Sequence, residues 1–232
     1  RGGRILVPVT TVEEVEVALG ILEQGVAGVV IHAHSPAQLR ELLTKVKASR
    51  QSLARQTARI VAIEPAGMGD RACIDTCTLM EEGEGMLVGN SSGFLFLVQA
   101  ETRQNPYVAP RPFRVNAGAV HAYVQVPEGR TCYLSELQAG DRVLVVDARG
   151  TVQEATGGRI KIERRPLLLV TAEAQGTTGS IVVQNAETIR LTGPDGEARS
   201  VVELEPGDPV LVVVQKAGRH FGVKVDESIR EK

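Results

Sequence analysis

The hydrophobic pattern of this chain changes at Glu64, and that change limits the folds it can adopt. Before Glu64, apolar runs suited to buried strands at residues 4–9, 26–31 and 58–63 alternate with two amphipathic segments. A strand–helix–strand–helix–strand unit of this kind is parallel and right-handed. Beyond Glu64 the strands are broken by Gly, Asn and Ser, and no convincing long helix follows until the end. The pattern predicts an α+β protein, with an α/β portion over 1–64 and a mainly β, barrel- or sandwich-like domain over 65–232.

Helix-capping residues mark both amphipathic segments. Thr10 or Thr11 can cap the first helix, and Gly25 is expected to end it. Ser35, followed by a proline, begins the second helix, which we expect to run to about Ser52.

One sequence in the predicted β domain occurs twice. LQAGDRVLVV at residues 137–146 returns as LEPGDPVLVV at residues 204–213, and in each copy a Gly-Asp turn leads into an apolar strand. The repeat favours a duplicated small β unit, although Gly-Asp turns before apolar strands are common without duplication.

The stretch Glu101–Tyr123 concentrates polar groups suited to binding an anion. It holds three arginines and three prolines, and the prolines keep the backbone extended, so we predict an irregular but rigid loop. Gly118 within it permits a close backbone approach or a positive φ. Such a loop suits a small anionic molecule; the alternative is a surface loop whose arginines pair with neighbouring acids.

A second candidate lies in the segment Gly157–Pro166. Strand alternation places Arg159, Lys161 and Glu163 on one face. This face is either an anion site with a lysine near a carboxylate or the polar outer face of a strand.

Composition excludes several functional classes. The net charge of -2 and the 3% aromatic content argue against a nucleic-acid partner. No apolar run approaches the roughly 18 residues that span a bilayer, so we expect no membrane association. Three cysteines suggest reduced thiols in a cytoplasmic protein. The glycines of residues 83–89 lack the helix and spacing of a dinucleotide-binding loop.

Nine motifs together resemble one family, the 3-dehydroquinate synthase II family. They run in order along the chain: Gly67–Arg71, Cys73–Cys77, Gly83–Gly89, Asn105–Ala109, Arg111–Gly118, Val120–Tyr123, Lys161–Pro166, Gln184–Arg190 and Arg219–Gly222. Members of this family are typically longer at the N-terminus, so we expect residues 1–64 to be part of a larger α/β domain.

The resemblance implies an enzyme of aromatic amino acid biosynthesis. Its reaction would be an NAD-linked oxidative deamination of a seven-carbon amino keto acid, followed by intramolecular aldol closure to 3-dehydroquinate. A sibling branch, the 3-amino-4-hydroxybenzoate synthases, cyclises a related precursor with manganese or a similar divalent metal. A third possibility is a non-catalytic binding protein derived from the family. The sequence leaves the oligomeric state open, and a homo-oligomer is compatible with it.

Both branches need a carboxylate anchor, a proton-transfer group and an oxyanion stabiliser. We expect substrate binding by Arg111 or Arg114 together with Asn116, Arg164 and Arg165. Proton transfer is assigned to Lys161 or His121, with Glu163 beside the lysine. Carboxylates and imidazoles that would hold a divalent metal are Glu84, Glu101, His121 and His220.

Overall fold

A computed structural model describes residues 5–20, 26, 28–48, 53–104, 109–215, 219–220 and 223–224. Contacts divide the chain into two units, residues 1–51 and residues 52–232. Each unit has its own hydrophobic core. Among the described residues, neither helix is long and apolar enough to cross a membrane.

The first unit is the α/β portion that the sequence predicts. Its elements are β1 (Leu6–Val9), α1 (Val12–Gly20), β2 (Gly28–Ile31) and α2 (Pro36–Ala48). The two strands pair in parallel, as expected. Thr11 caps α1 by accepting a hydrogen bond from the Glu14 amide at 3.2 Å, and Ser35 caps α2 by accepting one from Gln38 at 3.1 Å. Gly25 and Ser52, the predicted helix ends, lie outside the described residues.

The second unit is predominantly β. Twelve strands form one sheet: β3 (Gln56–Thr76), β4 (Gly85–Ser91), β5 (Phe94–Glu101), β6 (Arg111–Ala119), β7 (Tyr123–Val126), β8 (Arg130–Tyr133), β9 (Arg142–Val146), β10 (Val152–Ala174), β11 (Thr177–Gln184), β12 (Arg190–Thr192), β13 (Ala198–Ser200) and β14 (Pro209–Val214). Short 3-10 turns span Pro127–Gly129 and Leu134–Glu136, and β15 (Arg219–His220) pairs with β16 (Val223–Lys224). β3, β4, β5 and β10 each have more than two partners, so the sheet branches.

The predicted third parallel strand, at residues 58–63, belongs instead to this sheet. It is the beginning of β3, which pairs antiparallel with β14 and β10. Ala58 and Ile60 are buried in the large core, which explains the apolar run. The predicted domain boundary at Glu64 therefore falls within a single 21-residue strand.

The two Gly-Asp copies make the same hydrogen bonds at two places. The Gly140 amide donates to the Gly157 carbonyl, and the Gly157 amide donates to the Asp141 carbonyl, each at 2.8 Å. In the same way, the Gly207 amide donates to the Ile60 carbonyl at 2.8 Å, and the Ile60 amide donates to the Asp208 carbonyl at 2.9 Å. The strand after the first turn, β9, pairs with the start of β10, and the strand after the second, β14, pairs with the start of β3. The repeated sequence thus corresponds to a repeated structure.

Much of the predicted irregular loop is a regular strand. Residues 111–119 form β6, which pairs with the end of β3, while residues 105–108 lie outside the described part. Val115 and Ala117 point into the core, and Arg114 and Asn116 point to the other face. Pro112 is tolerated near the beginning of β6, where its carbonyl still accepts a hydrogen bond from Met80 at 2.7 Å.

Candidate functional site

The register of β3 against β10 places charged side chains opposite one another. Arg71 lies opposite Glu163, Cys73 opposite Lys161, and Asp75 opposite Arg159. The predicted alternation along β10 is therefore correct. We call this surface the polar face and define it by Arg71, Cys73 and Asp75 of β3, Arg114 and Asn116 of β6, Arg159, Lys161, Glu163 and Arg165 of β10, and Gln184 of β11.

Glu163 is the centre of a four-residue ionic cluster on the polar face. Its carboxylate accepts from Lys161 Nζ at 3.1 Å, from Arg165 Nη2 at 2.9 Å and from Arg71 Nη2 at 3.1 Å. The Lys161 hydrogen bond, with the charges of Arg165 and Arg71, lowers the pKa of Glu163. Three cations around one ionised carboxylate leave an excess of positive charge, which suits an anionic ligand.

Arg71 is buried, and its donors are directed at protein groups. Besides Glu163, it donates through Nε to Gln184 Oε1 at 2.9 Å and through Nη1 to Cys73 Sγ at 2.7 Å. Because a guanidinium only donates, Gln184 must present its oxygen, and that oxygen also accepts from Asn116 Nδ2 at 3.0 Å. The network fixes the Asn116 amide, and its buried Oδ1 has no hydrogen-bond partner among the described residues.

Cys73 is an unlikely nucleophile despite its place in the network, because burial raises the pKa of its thiol to about 11. Cys73 lies opposite Lys161 in the strand register, and its Sγ accepts from Arg71.

Arg114 forms a buried ion pair rather than an exposed anchor. It donates to Asp75 in a bidentate manner, through Nε at 2.6 Å and Nη2 at 2.9 Å. Arg159 contacts the same carboxylate at 2.6 Å from the solvent side. Burial tends to raise the pKa of Asp75, but the hydrogen bonds from both arginines outweigh it and lower the pKa. This arrangement supports the sheet and leaves Arg114 little capacity for a substrate carboxylate.

The other predicted substrate-binding arginines separate. Arg111 lies 3.5 Å from Glu101 in an ion pair at the end of β5. Arg164 is exposed and, by strand alternation, projects from the face opposite Arg165. Of these residues, Arg165 alone belongs to the Glu163 cluster.

His121 lies in an open pocket of about 410 Å³, lined also by Asn90, Tyr123, Tyr133 and Ser135. Its Nε2 is 3.2 Å from Asn90 Oδ1. The two tyrosine rings lie with centroids 4.7 Å apart, and their hydroxyls are 3.0 Å apart. His121 thus has neutral hydrogen-bonding neighbours, unlike Lys161.

The predicted metal ligands do not converge in the described part of the chain. Glu101 pairs with Arg111, Glu84 accepts from the Glu81 amide at 2.7 Å, and His121 contacts Asn90. Burial raises the pKa of Glu84. No three His, Cys, Asp or Glu side chains among the described residues are grouped to hold a metal. The side chain of the fourth predicted ligand, His220, is outside the described set, so the metal site stays a prediction.

Sequence reasoning offered Asp75 only among carboxylates for a metal and gave Arg71 and Gln184 no individual role, so it did not place these three on the polar face. A signal for the first two was present, because Arg71, Cys73 and Asp75 alternate along one strand in the same way as Arg159, Lys161 and Glu163. Nothing local indicates which strand lies beside which.

Comparisons with known proteins identify the family. The 3-dehydroquinate synthase II C-terminal domain matches residues 57–232, and the N-terminal domain of that family matches residues 1–46. The 3-dehydroquinate synthase of Methanospirillum hungatei is 55% identical over 233 residues, covering 100% of this chain and 70% of the relative. That of Methanosphaerula palustris is 55% identical over 228 residues, covering 98% of this chain and 70% of the relative. A 3-dehydroquinate synthase homolog of Aquifex aeolicus is 53% identical over 224 residues, covering 97% of this chain and 68% of the relative.

These matches extend over both units, and the matched ranges contain every residue of the polar face. They support an enzyme rather than a non-catalytic binding protein. The chain belongs to the 3-dehydroquinate synthase II family.

Proposed function

We propose that this chain catalyses formation of 3-dehydroquinate from a seven-carbon amino keto acid, by oxidative deamination and then intramolecular aldol closure. Family membership supports the reaction class. The observation that carries the assignment of residues is the Glu163 cluster, in which a lysine amine and two guanidiniums surround one carboxylate.

Arg165 and Lys161 are the substrate-facing members of the cluster. Their side chains are 43% and 45% exposed, whereas that of Arg71 is 5% exposed. An ammonium has three donors and a guanidinium has five, so both residues can hold Glu163 and still donate to a ligand. We assign Arg165 to the substrate carboxylate and Arg71 to holding Glu163 in place.

Lys161 is the proton-transfer residue of this proposal. Aldol closure converts a ketone oxygen into an alkoxide, which must receive a proton. The Lys161 ammonium donates that proton or a hydrogen bond to the developing charge, while Glu163 keeps the amine in position at 3.1 Å. The low pKa of Glu163 makes this carboxylate a weak base, so it orients Lys161 instead of taking the proton itself.

NAD supplies the hydride acceptor of the oxidation when it is bound. The glycines of residues 83–89 do not form a cradle for its pyrophosphate: a Cβ at Gly85 would lie 1.9 Å from the Val98 carbonyl oxygen, and one at Gly89 would lie 2.2 Å from that of Phe94. These glycines allow strands to pack closely and do not surround a ligand. Among the described side chains, no group of His, Cys, Asp and Glu residues is placed to hold a metal.

An incubation with the seven-carbon amino keto acid tests the reaction directly, with NAD and Mn²⁺ supplied in separate tubes. NADH absorbance together with dehydroquinate is the expected result. An aromatic amine formed with Mn²⁺ alone would refute the proposal and place the chain in the aminohydroxybenzoate branch. Absence of product in every tube would also refute it.

A matched pair of variants tests the residue assignment. Lys161→Ala is expected to lower kcat by about 10²-fold or more, since it removes the proton donor. Arg142→Ala is the control. Arg142 is an exposed cation of β9, and it pairs with Glu154 near the beginning of β10, the strand that carries Lys161. Its turnover should equal that of the unmodified protein. Equal rates for both variants would remove Lys161 from the mechanism.

A further inference from the structure

The backbone around His121 is held on both sides by other elements. The Val120 amide donates to the Asp70 carbonyl at 3.1 Å, and the Val120 carbonyl accepts from Ser135 at 3.0 Å. On the other side, the Ala122 carbonyl accepts from Leu134 at 2.9 Å. An exposed side chain on so constrained a turn needs few further contacts to hold one orientation.

Asn90 supplies such a contact, and a second strand holds Asn90. Its Nδ2 donates to Ser180 Oγ of β11 at 3.0 Å, and its Oδ1 lies 3.2 Å from His121 Nε2. An amide oxygen can only accept, so a neutral imidazole that hydrogen-bonds to it donates from Nε2. The lone pair of the ring is consequently on Nδ1.

We propose that Asn90, supported by Ser180, is a positioning residue that fixes His121 so that its Nδ1 acts as a base in the pocket. The proposal rests on the dehydroquinate synthase function proposed above. The pocket lining consists of an imidazole, an amide, a serine hydroxyl and two phenols. Neutral groups that both donate and accept, next to aromatic rings, suit the hydroxyl-bearing carbons of a sugar-like substrate and not its carboxylate.

Gly118 allows β6 to approach β11, the strand that carries Ser180, very closely. Its φ is +144°, and a Cβ added there would lie 2.7 Å from the Val182 carbonyl oxygen of β11. A side chain would therefore push β6, which leads to His121, away from β11, which carries Ser180.

Four variants test the proposal: Asn90→Leu, Asn90→Asp, His121→Gln, and Asn90→Leu combined with His121→Gln. We expect His121→Gln to lower kcat by about 10²-fold, as for loss of a general base. Asn90→Leu should lower kcat by about tenfold with little change in KM, and Asn90→Asp, which keeps an acceptor oxygen, should restore most of the loss. The double variant should be no slower than His121→Gln, because Asn90 acts through the histidine.

The proposal would be overturned if the losses of kcat in the two single variants added up in the double variant. It would also be overturned if Asn90→Leu kept full activity while His121→Gln was impaired. Full activity of His121→Gln would also overturn it. None of these results alters the Lys161→Ala test, which decides the proposed function separately. A readout independent of turnover is ¹⁵N NMR of the neutral imidazole, compared with the spectrum of His121→Gln for assignment. We expect protonated Nε2, and protonated Nδ1 would refute the geometry.

Discussion

Asp75 has two arginine partners that differ in burial, and this difference predicts unequal effects of removing them. The Arg114 side chain is 7% exposed and the Arg159 side chain is 63% exposed, while Asp75 itself is 7% exposed. Arg114→Gln and Arg159→Gln each remove one guanidinium from the same carboxylate. Because both variants make the same chemical change beside the same carboxylate, the difference between their effects on stability reports the effect of burial.

The expected magnitudes follow from solvent access. Removing one member of a buried ion pair costs about 3–5 kcal/mol, because the other charge stays buried and poorly compensated. Arg159 would still contact Asp75 after Arg114→Gln, so we expect the lower end of that range, about 3 kcal/mol. Arg159→Gln removes a solvent-exposed partner and should cost no more than about 1 kcal/mol.

Urea unfolding at neutral pH measures this difference, provided that the m-value is unchanged. A matched surface control is Arg149→Gln, since Arg149 is 84% exposed and 2.8 Å from Asp147. Equal losses for Arg114→Gln and Arg159→Gln, or a larger loss for Arg159→Gln, would refute the reasoning. The folded-state pKa of Asp75 is lowered. The contribution of its ion pairs to stability is therefore fully present above the unfolded-state pKa near 3.8, and it is lost as the pH falls through the folded-state pKa. The two variants should therefore converge in stability with the unmodified protein in strong acid.

Three further predictions use standard assays. Gly118→Ala should lower the midpoint of urea unfolding strongly, because it combines a φ of +144° with a 2.7 Å contact; an unchanged midpoint would show that β6 and β11 can separate. Iodoacetamide at pH 8 should modify exposed Cys77 in the native protein and spare Cys73, whose pKa is raised to about 11 by burial; mass spectrometry of peptides distinguishes them, and equal labelling would contradict the burial. Asp141→Ala and Asp208→Ala should each cost roughly 1–3 kcal/mol, because each carboxylate accepts one backbone hydrogen bond in the same turn, at 2.7 and 2.9 Å. Asp208 also lies 3.4 Å from Arg199 Nη1, so its loss should exceed that of Asp141 by up to about 1 kcal/mol; a larger loss for Asp141→Ala in urea unfolding would contradict this.

The sequence was informative wherever the signal was local. The caps at Thr11 and Ser35 and the alternation of Lys161 and Glu163 along β10 depend on neighbouring residues, and the structure has them as predicted. The same holds for Gly118, which has both the positive φ and the close backbone approach that its context indicated.

The continuity of β3 was not predictable in the same way. The stretch around Pro65 and Gly67 has the composition of a turn. It remains a strand because β10 shifts register between Leu167 and Leu168, which lets Ala66 bulge opposite them. The partner that stabilises this bulge is about a hundred residues away in the chain, and nothing near Pro65 reveals it.

The Glu163 cluster shows the same limit for function. Lys161, Glu163 and Arg165 are close in sequence, and they were found. Arg71 completes the cluster only because β3 and β10 align in one particular register. The predicted grouping of Glu84, Glu101 and His121 was not based on alternation along one strand. In the structure these three side chains have different partners.

The strands that follow the two Gly-Asp turns pair with partners at very different distances along the chain, and this has a consequence for synthesis of the protein. β9 is made just before its partner β10, but β14 pairs with the start of β3, which leaves the ribosome about 150 residues earlier. Until β14 emerges, that end of β3 has an unpaired edge able to join another chain. Formation of this last pairing closes a long loop, which slows folding. We expect the nascent protein to need protection at Gln56–Arg59, and chains that end before Pro209 to aggregate through this segment.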